Sequence, residues 1–131
     1  MIGLDTNVLL RWLIDSSDSP EQSQLVSKTI IENDKTCFVN AVVLAETIWV
    51  VAQVLKQPRS MQSEIIQRLL CSFNVEISDR SAIEAALASF GQGGGGFVDH
   101  FIGAQNRLAG GETTLTFDKQ AAKSPDFTQL S

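Results

Sequence analysis

Residues 1–14 read MIGLDTNVLLRWLI. The apolar start at 2–4 is interrupted by Asp5-Thr6-Asn7, after which residues 8, 9, 10, 12, 13 and 14 are apolar again. This pattern predicts a short strand at 2–4, a helix-capping zone at Asp5–Asn7 and a mostly buried helix to Ile14. A strand that delivers an acid directly into a helix start is a building block of open α/β sheets, which bind ligands beyond the carboxyl ends of their strands.

The same alternation continues along the chain. A polar turn cluster at Asp15–Ser19 precedes Pro20, which suits the first position of a helix over 20–32, with Leu25, Val26, Ile30 and Ile31 at helical spacing. A strand at 36–39 leads to Asn40 as the cap of a long helix over 41–56, stopped with the help of Pro58. A helix at 61–72, a strand at 75–77 and a helix capped by Ser78 and Asp79 and running to Phe90 follow. Residues 91–96, GQGGGG, hold five of the nine glycines and form a loop, because glycine loses the most conformational freedom on ordering. A helix at 97–109, ended by Gly110-Gly111, gives way to a strand at 113–117, a short helix at 119–123 and an edge strand at 127–130. The expected fold is α/β, a three-layer α/β/α sandwich around a mostly parallel sheet, with residues 1–131 as a single domain.

Composition agrees. A chain of 131 residues with 44% hydrophobic and 19% charged side chains can build a core without a disulfide or a metal staple. No apolar run reaches the roughly 18 residues of a membrane span, and the N-terminus lacks the features of a secretory signal. The expectation is a cytoplasmic protein, with Cys37 and Cys71 as lone thiols in a reducing compartment. Ten Lys plus Arg against 15 Asp plus Glu give a net charge of -5, which argues against a generic basic nucleic-acid binder. An enzyme that handles phosphate esters through metal ions is not excluded, since such a site requires carboxylates.

Four acids stand out. Asp5 and Asp118 each follow a strand directly, so parallel strands would place them at one sheet edge; each also suits a plain helix cap. Glu46 has Val42, Val43, Trp49 and Val50 as helical neighbours in a segment apolar nearly all round. That predicts burial on most faces, where a carboxylate needs a cation or strong donors. Asp99 lies in the first turn of the helix after the glycine loop, where the helix dipole also favours an acid. Gly103 and Asn106 share its side, and Gly103 would let a backbone or ligand approach. Two carboxylates ~4 Å apart repel by roughly 4 kcal/mol at an effective dielectric near 20, so four together would call for a hard divalent cation, Mg²⁺ or Mn²⁺. With no His or Cys beside them, they do not suggest zinc.

Other features point to structure instead. His100, the single histidine, fits no metal motif and is expected at the surface or rim. The glycine run lacks the lysine and hydroxyl residue of a phosphate loop. Trp12 and Trp49 are read as core or interface aromatics.

The opening LDTNVLLRWL resembles the PIN-domain ribonucleases, and within them the VapC-type toxins of prokaryotic toxin–antitoxin pairs. The resemblance continues through VVLAETIWVV around Glu46, GFVDHFIGAQNRLAGG around Asp99 and TLTFDKQAAK around Asp118, in family order over nearly the whole chain. It implies Mg²⁺- or Mn²⁺-dependent cleavage of RNA, with Asp5, Glu46, Asp99 and Asp118 at the metal-binding acid positions and Thr6, Asn7 and Thr116 as polar supports. It also implies a homodimer held inactive by a small VapB-type antitoxin, which alone contacts operator DNA. Arg11, Lys119 and Lys123, each close in sequence to an acid block, are candidates for RNA phosphate contacts.

Three other readings compete with this one. A haloacid-dehalogenase-type phosphatase needs a second Asp where Asn7 stands. A phosphoacceptor signalling domain wants paired early acids, and only Asp5 is present. A non-catalytic PIN-like RNA- or protein-binding module should have lost one or more of the acids, and all four are in place.

Overall fold

Asp5 begins the first helix as its position predicts: its Oδ1 accepts the Thr6 N–H at 2.8 Å, and its backbone is extended. In the computed structural model the elements run β1 (Ile2–Gly3), α1 (Thr6–Leu13), α2 (Pro20–Glu32), β2 (Cys37–Val39), α3 (Ala41–Gln53), α4 (Arg59–Leu70), β3 (Val75–Ile77), α5 (Arg80–Gly91), α6 (Phe97–Leu108), β4 (Thr114–Thr116) and β5 (Phe127–Gln129). A 3-10 turn, Ala121–Lys123, precedes β5. The structure describes residues 1–14, 20–32 and 34–131; the turn expected over Asp15–Ser19 and the side chain of Ile31 lie outside the described residues. The class is α/β, and the strand pairings β1–β2, β2–β3 and β4–β5 are all parallel. No helix among the described residues is long and apolar enough to cross a membrane. Cys37 and Cys71 are both free.

The chain divides into two compact units, Met1–Ser78 and Asp79–Ser131. In the first, the sheet has the order β1-β2-β3, with Ile2 opposite Cys37 and Cys37 opposite Val75. The Leu4 N–H extends the ladder to the Phe38 carbonyl at 2.9 Å, directly before Asp5. Helix α1 packs against both α2 and α3, and α3 packs against α4. Leu9, Val39, Leu44, Ile48, Val51, Ile66 and Leu69 are buried.

Asn40 caps α3 through its Oδ1, which accepts the Val43 N–H at 2.9 Å. The helix departs from the sequence reading in two ways. It ends at Gln53, before 56, and Pro58 instead starts α4, its carbonyl accepting the Met61 and Gln62 N–H groups. Its burial is also one-sided: Leu44, Thr47, Ile48 and Val51 face inward, while Val42 (74% exposed), Glu46 and Trp49 (54% exposed) form an outward stripe. Glu46 is therefore exposed, not buried. An all-round apolar pattern carries no period and so cannot tell which face is covered. Leu25 of α2 is likewise exposed, although Ile30 is buried.

In the second unit, α5 packs on α6, and β4 pairs with β5, Thr114 opposite Phe127 and Thr116 opposite Gln129. Asp79 does not cap α5 as expected. It adopts a left-handed backbone (φ 56°), and its Oδ2 accepts from Gln105 Nε2 on α6 at 3.0 Å. Gly110 does end α6: at φ +99° it lets its own N–H reach the Arg107 carbonyl and the Gly111 N–H reach the Asn106 carbonyl, the paired bonds of a Schellman motif. The segment expected to be a helix at 119–123 shortens to the 3-10 turn at Ala121–Lys123, although Asp118 caps its first N–H groups. Phe97 and Phe101 stack at 5.9 Å, and Phe90 meets Phe97 edge-on at 6.0 Å.

Candidate active site

In the first unit, β1 and β2 are parallel neighbours, and each releases the chain into a helix at its carboxyl end. Asp5 is the cap of α1, and Glu46 lies in the second turn of α3. Asp5 gives one oxygen to the Thr6 N–H. The Thr6 side chain is buried and Asn7 is exposed. Arg11 is half-buried and lines a cleft between α1 and α2 with Trp12, Ser23 and Lys28.

The second unit holds Asp99 and Asp118. Asp99 is the third residue of α6, and its Oδ2 accepts the Gly96 N–H at 3.1 Å, so the acid closes back on the loop that starts its own helix. Asp118 follows β4, and its Oδ1 accepts the N–H groups of Gln120 at 2.8 Å and Ala121 at 3.2 Å. Thr116 Oγ1 accepts the Asp118 N–H at 3.0 Å. Gly95 lies close to Asp99 and to Ala121, whose N–H is held by Asp118. A Cβ there would lie 2.7 Å from Asp99 Oδ2 and 3.2 Å from the Ala121 Cα. Only the absence of a side chain permits that approach. Lys119 and Lys123 are exposed beside Asp118 in sequence.

Asp5, Asp99 and Asp118 thus each commit one oxygen to backbone N–H groups. Among the described residues the second oxygen of each takes no hydrogen bond, and none of the four acids forms an ion pair. The plain cap and a cation-binding role are therefore compatible, since a carboxylate has lone pairs on both oxygens. No group of three or more His, Cys, Asp or Glu side chains able to hold a metal ion occurs among the described residues. Asp5 and Glu46 belong to the first unit, and Asp99 and Asp118 to the second. Oxygen donors of this kind suit a hard divalent cation.

The structure departs from the sequence reading at three residues. His100 is 2% exposed, not at a rim. Its Nε2 lies 2.8 Å from the Gly93 carbonyl oxygen, and its ring meets Phe90 edge-on at 6.0 Å. The signal was present: Phe97, His100, Phe101 and Ala104 share one helical stripe. Gly103 admits no ligand, because the Phe127 ring already fills the space beside it. Gly95 is visible in the sequence only as one glycine among several, with nothing to mark its place against Asp99 and Ala121.

The chain matches the PIN domain family model over residues 2–126 and belongs to that family. PIN domains are generally nuclease modules and generally use divalent metals. No curated protein matches the chain.

Proposed function

We propose that this protein is a Mg²⁺- or Mn²⁺-dependent endoribonuclease of the VapC type, the toxin of a toxin–antitoxin pair. The observation that carries the reading is the state of the acids: Asp5, Asp99 and Asp118 each have one oxygen anchored by backbone N–H groups and the other without a hydrogen bond to a described residue. Asp5, Asp99, Asp118 and Glu46 would hold the metal. When bound, a divalent ion offsets the charge of the scissile phosphate and makes water more acidic. Glu46, exposed on α3, either joins the metal ligands or accepts the proton of the attacking water. The water oxygen bonds to phosphorus in line, the bond to the 3′ oxygen breaks, and that oxygen leaves as a hydroxyl. Products carry 5′-phosphate and 3′-hydroxyl ends. Thr116, Thr6 and Asn7 support the acids, and Arg11, Lys119 and Lys123 take RNA phosphates. The working protein is a cytoplasmic homodimer silenced by a VapB-type antitoxin.

One observation favours a second reading, a non-catalytic PIN-like RNA- or protein-binding module: no metal-holding group of three acids occurs among the described residues. Cleavage of total RNA by purified, antitoxin-free protein separates the two. The nuclease gives fragments with Mg²⁺ or Mn²⁺, none with EDTA, and none from Asp5→Asn or Asp99→Asn. A module binds RNA in all these forms and cuts in none. Ends bearing 2′,3′-cyclic phosphate would overturn the hydrolytic mechanism, because the ribose hydroxyl would then be the nucleophile.

A further inference from the structure

We infer that His100 is a positioning residue: its ring clamps the Gly93–Gly96 loop and thereby sets the Asp99 and Asp118 carboxylates relative to each other. The inference rests on the metal-binding role proposed above for these two acids. A carbonyl oxygen has no proton to give, so in the 2.8 Å contact to Gly93 the proton is on His100 Nε2. In the neutral ring Nδ1 is then a bare acceptor, and it is buried with no hydrogen-bond partner among the described residues. Burying such a nitrogen is unfavourable. An apolar side chain on the Phe97–Phe101–Ala104 stripe would avoid that penalty, so core packing alone does not account for a histidine here. What the ring adds is the bond to Gly93.

That bond is one of two that His100 makes to the loop. Its backbone N–H donates to the Gly96 carbonyl at 3.2 Å, so the ring holds the first loop residue and the backbone holds the last. Gly94, at φ +81°, lies between, and a Cβ there would stand 3.3 Å from the Gln120 carbonyl oxygen and 3.6 Å from His100 Nε2. Gly95 bears in the same way on Asp99 Oδ2 and the Ala121 Cα. Gln120 and Ala121 are the residues whose N–H groups hold Asp118 Oδ1, and Gly96 is the one whose N–H holds Asp99 Oδ2. The loop is thus the spacer between the two carboxylates, and His100 is its pin. A loop of four glycines has no side chains of its own to restrain it.

The test measures Mn²⁺ affinity by calorimetry, with thermal unfolding alongside, for the wild type, His100→Leu and His100→Gln. The leucine keeps the apolar volume and loses the donor; the glutamine restores an N–H at a similar reach. His100→Leu is expected to fold and to bind Mn²⁺ about tenfold or more weakly, with His100→Gln recovering most of that loss. Unchanged affinity in His100→Leu overturns the inference, and so does a His100→Gln variant as weak as the leucine. Should His100→Leu not fold, the wild type decides. The protein has one histidine, so its ring nitrogen resonances need no assignment by mutation. A slowly exchanging Nε2 proton, retained as Mg²⁺ is added, upholds the clamp, and a proton on Nδ1 or one in fast exchange overturns it. Asp99→Asn and Asp118→Asn separate this failure from that of the wider reading. If neither weakens Mn²⁺ binding, the metal role falls and the inference with it; if both do and His100→Leu does not, the inference alone fails.

Discussion

Gly103 of α6 lies against the ring of Phe127 on β5, so close that a Cβ would stand 2.8 Å from Phe127 Cε2 and 3.2 Å from both Phe127 Cζ and Asp126 Cβ. Alanine here gains about 1 kcal/mol of helix propensity over glycine. Forcing a methyl into filled space costs roughly 1–3 kcal/mol. Asp126 cannot easily recede, because its Oδ1 is paired with Arg107 Nε at 2.6 Å. The clash should outweigh the propensity, and Gly103→Ala is expected to lower stability by about 1 kcal/mol in urea unfolding. A more stable variant would mean that the Phe127 ring swings aside freely.

Thr116 joins the strand end to the acid that follows it. Its Oγ1 accepts the Asp118 N–H at 3.0 Å, while Asp118 Oδ1 holds the next turn. Thr116→Val keeps the shape and removes the acceptor. We expect a stability loss of about 1 kcal/mol and a fall in Mn²⁺-supported RNA cleavage on the order of tenfold. Thr116→Ser, which retains the hydroxyl, should stay near wild type in both. Equal loss in the serine variant would assign the effect to the missing methyl and not to the hydrogen bond.

The contrast between these two positions shows what could be seen in the sequence. The strand-to-acid junctions were legible because each leaves a local mark: an apolar run, an acid, then helical spacing, as at Leu4-Asp5-Thr6 and Phe117-Asp118-Lys119. Helix α2 was placed at its observed limits by Pro20 and its periodicity. Features set by packing left no local mark. The one-sided burial of α3 depends on where other helices lie, and the close seat of Gly103 on Phe127 depends on a residue far along the chain. His100 falls between the two cases: its helical stripe was readable, but its polarity drew the reading toward the surface.

The exposed stripe on α3 gives a direct contrast of neighbours. Ile48 is 1% exposed, whereas the adjacent Trp49 is 54% exposed. Ile48→Ala should cost about 2–5 kcal/mol through lost burial and a residual cavity. Trp49→Ala should cost less than about 1 kcal/mol, as is usual for surface positions. Urea unfolding at low protein concentration measures both. A Trp49→Ala loss as large as that of Ile48→Ala would show that this face of α3 is covered in solution.

Glu46 and Asp5 offer the sharpest separation of function from stability. Glu46 is exposed and makes no hydrogen bond or ion pair with a described residue, so Glu46→Gln should change stability by no more than ~0.5 kcal/mol. Asp5 caps α1 through one oxygen, and asparagine keeps an oxygen for that bond, so Asp5→Asn should also hold its melting temperature. If these acids serve the metal and the attacking water, both variants should nonetheless lose cleavage by about a hundredfold or more. Melting curves and cleavage rates on the same preparations read the two effects apart. Rates that stay near wild type would remove the acids from the chemistry. An Asp5→Asn rate that falls only together with the melting temperature would make Asp5 a structural cap, the role that its bond to the Thr6 N–H alone would support.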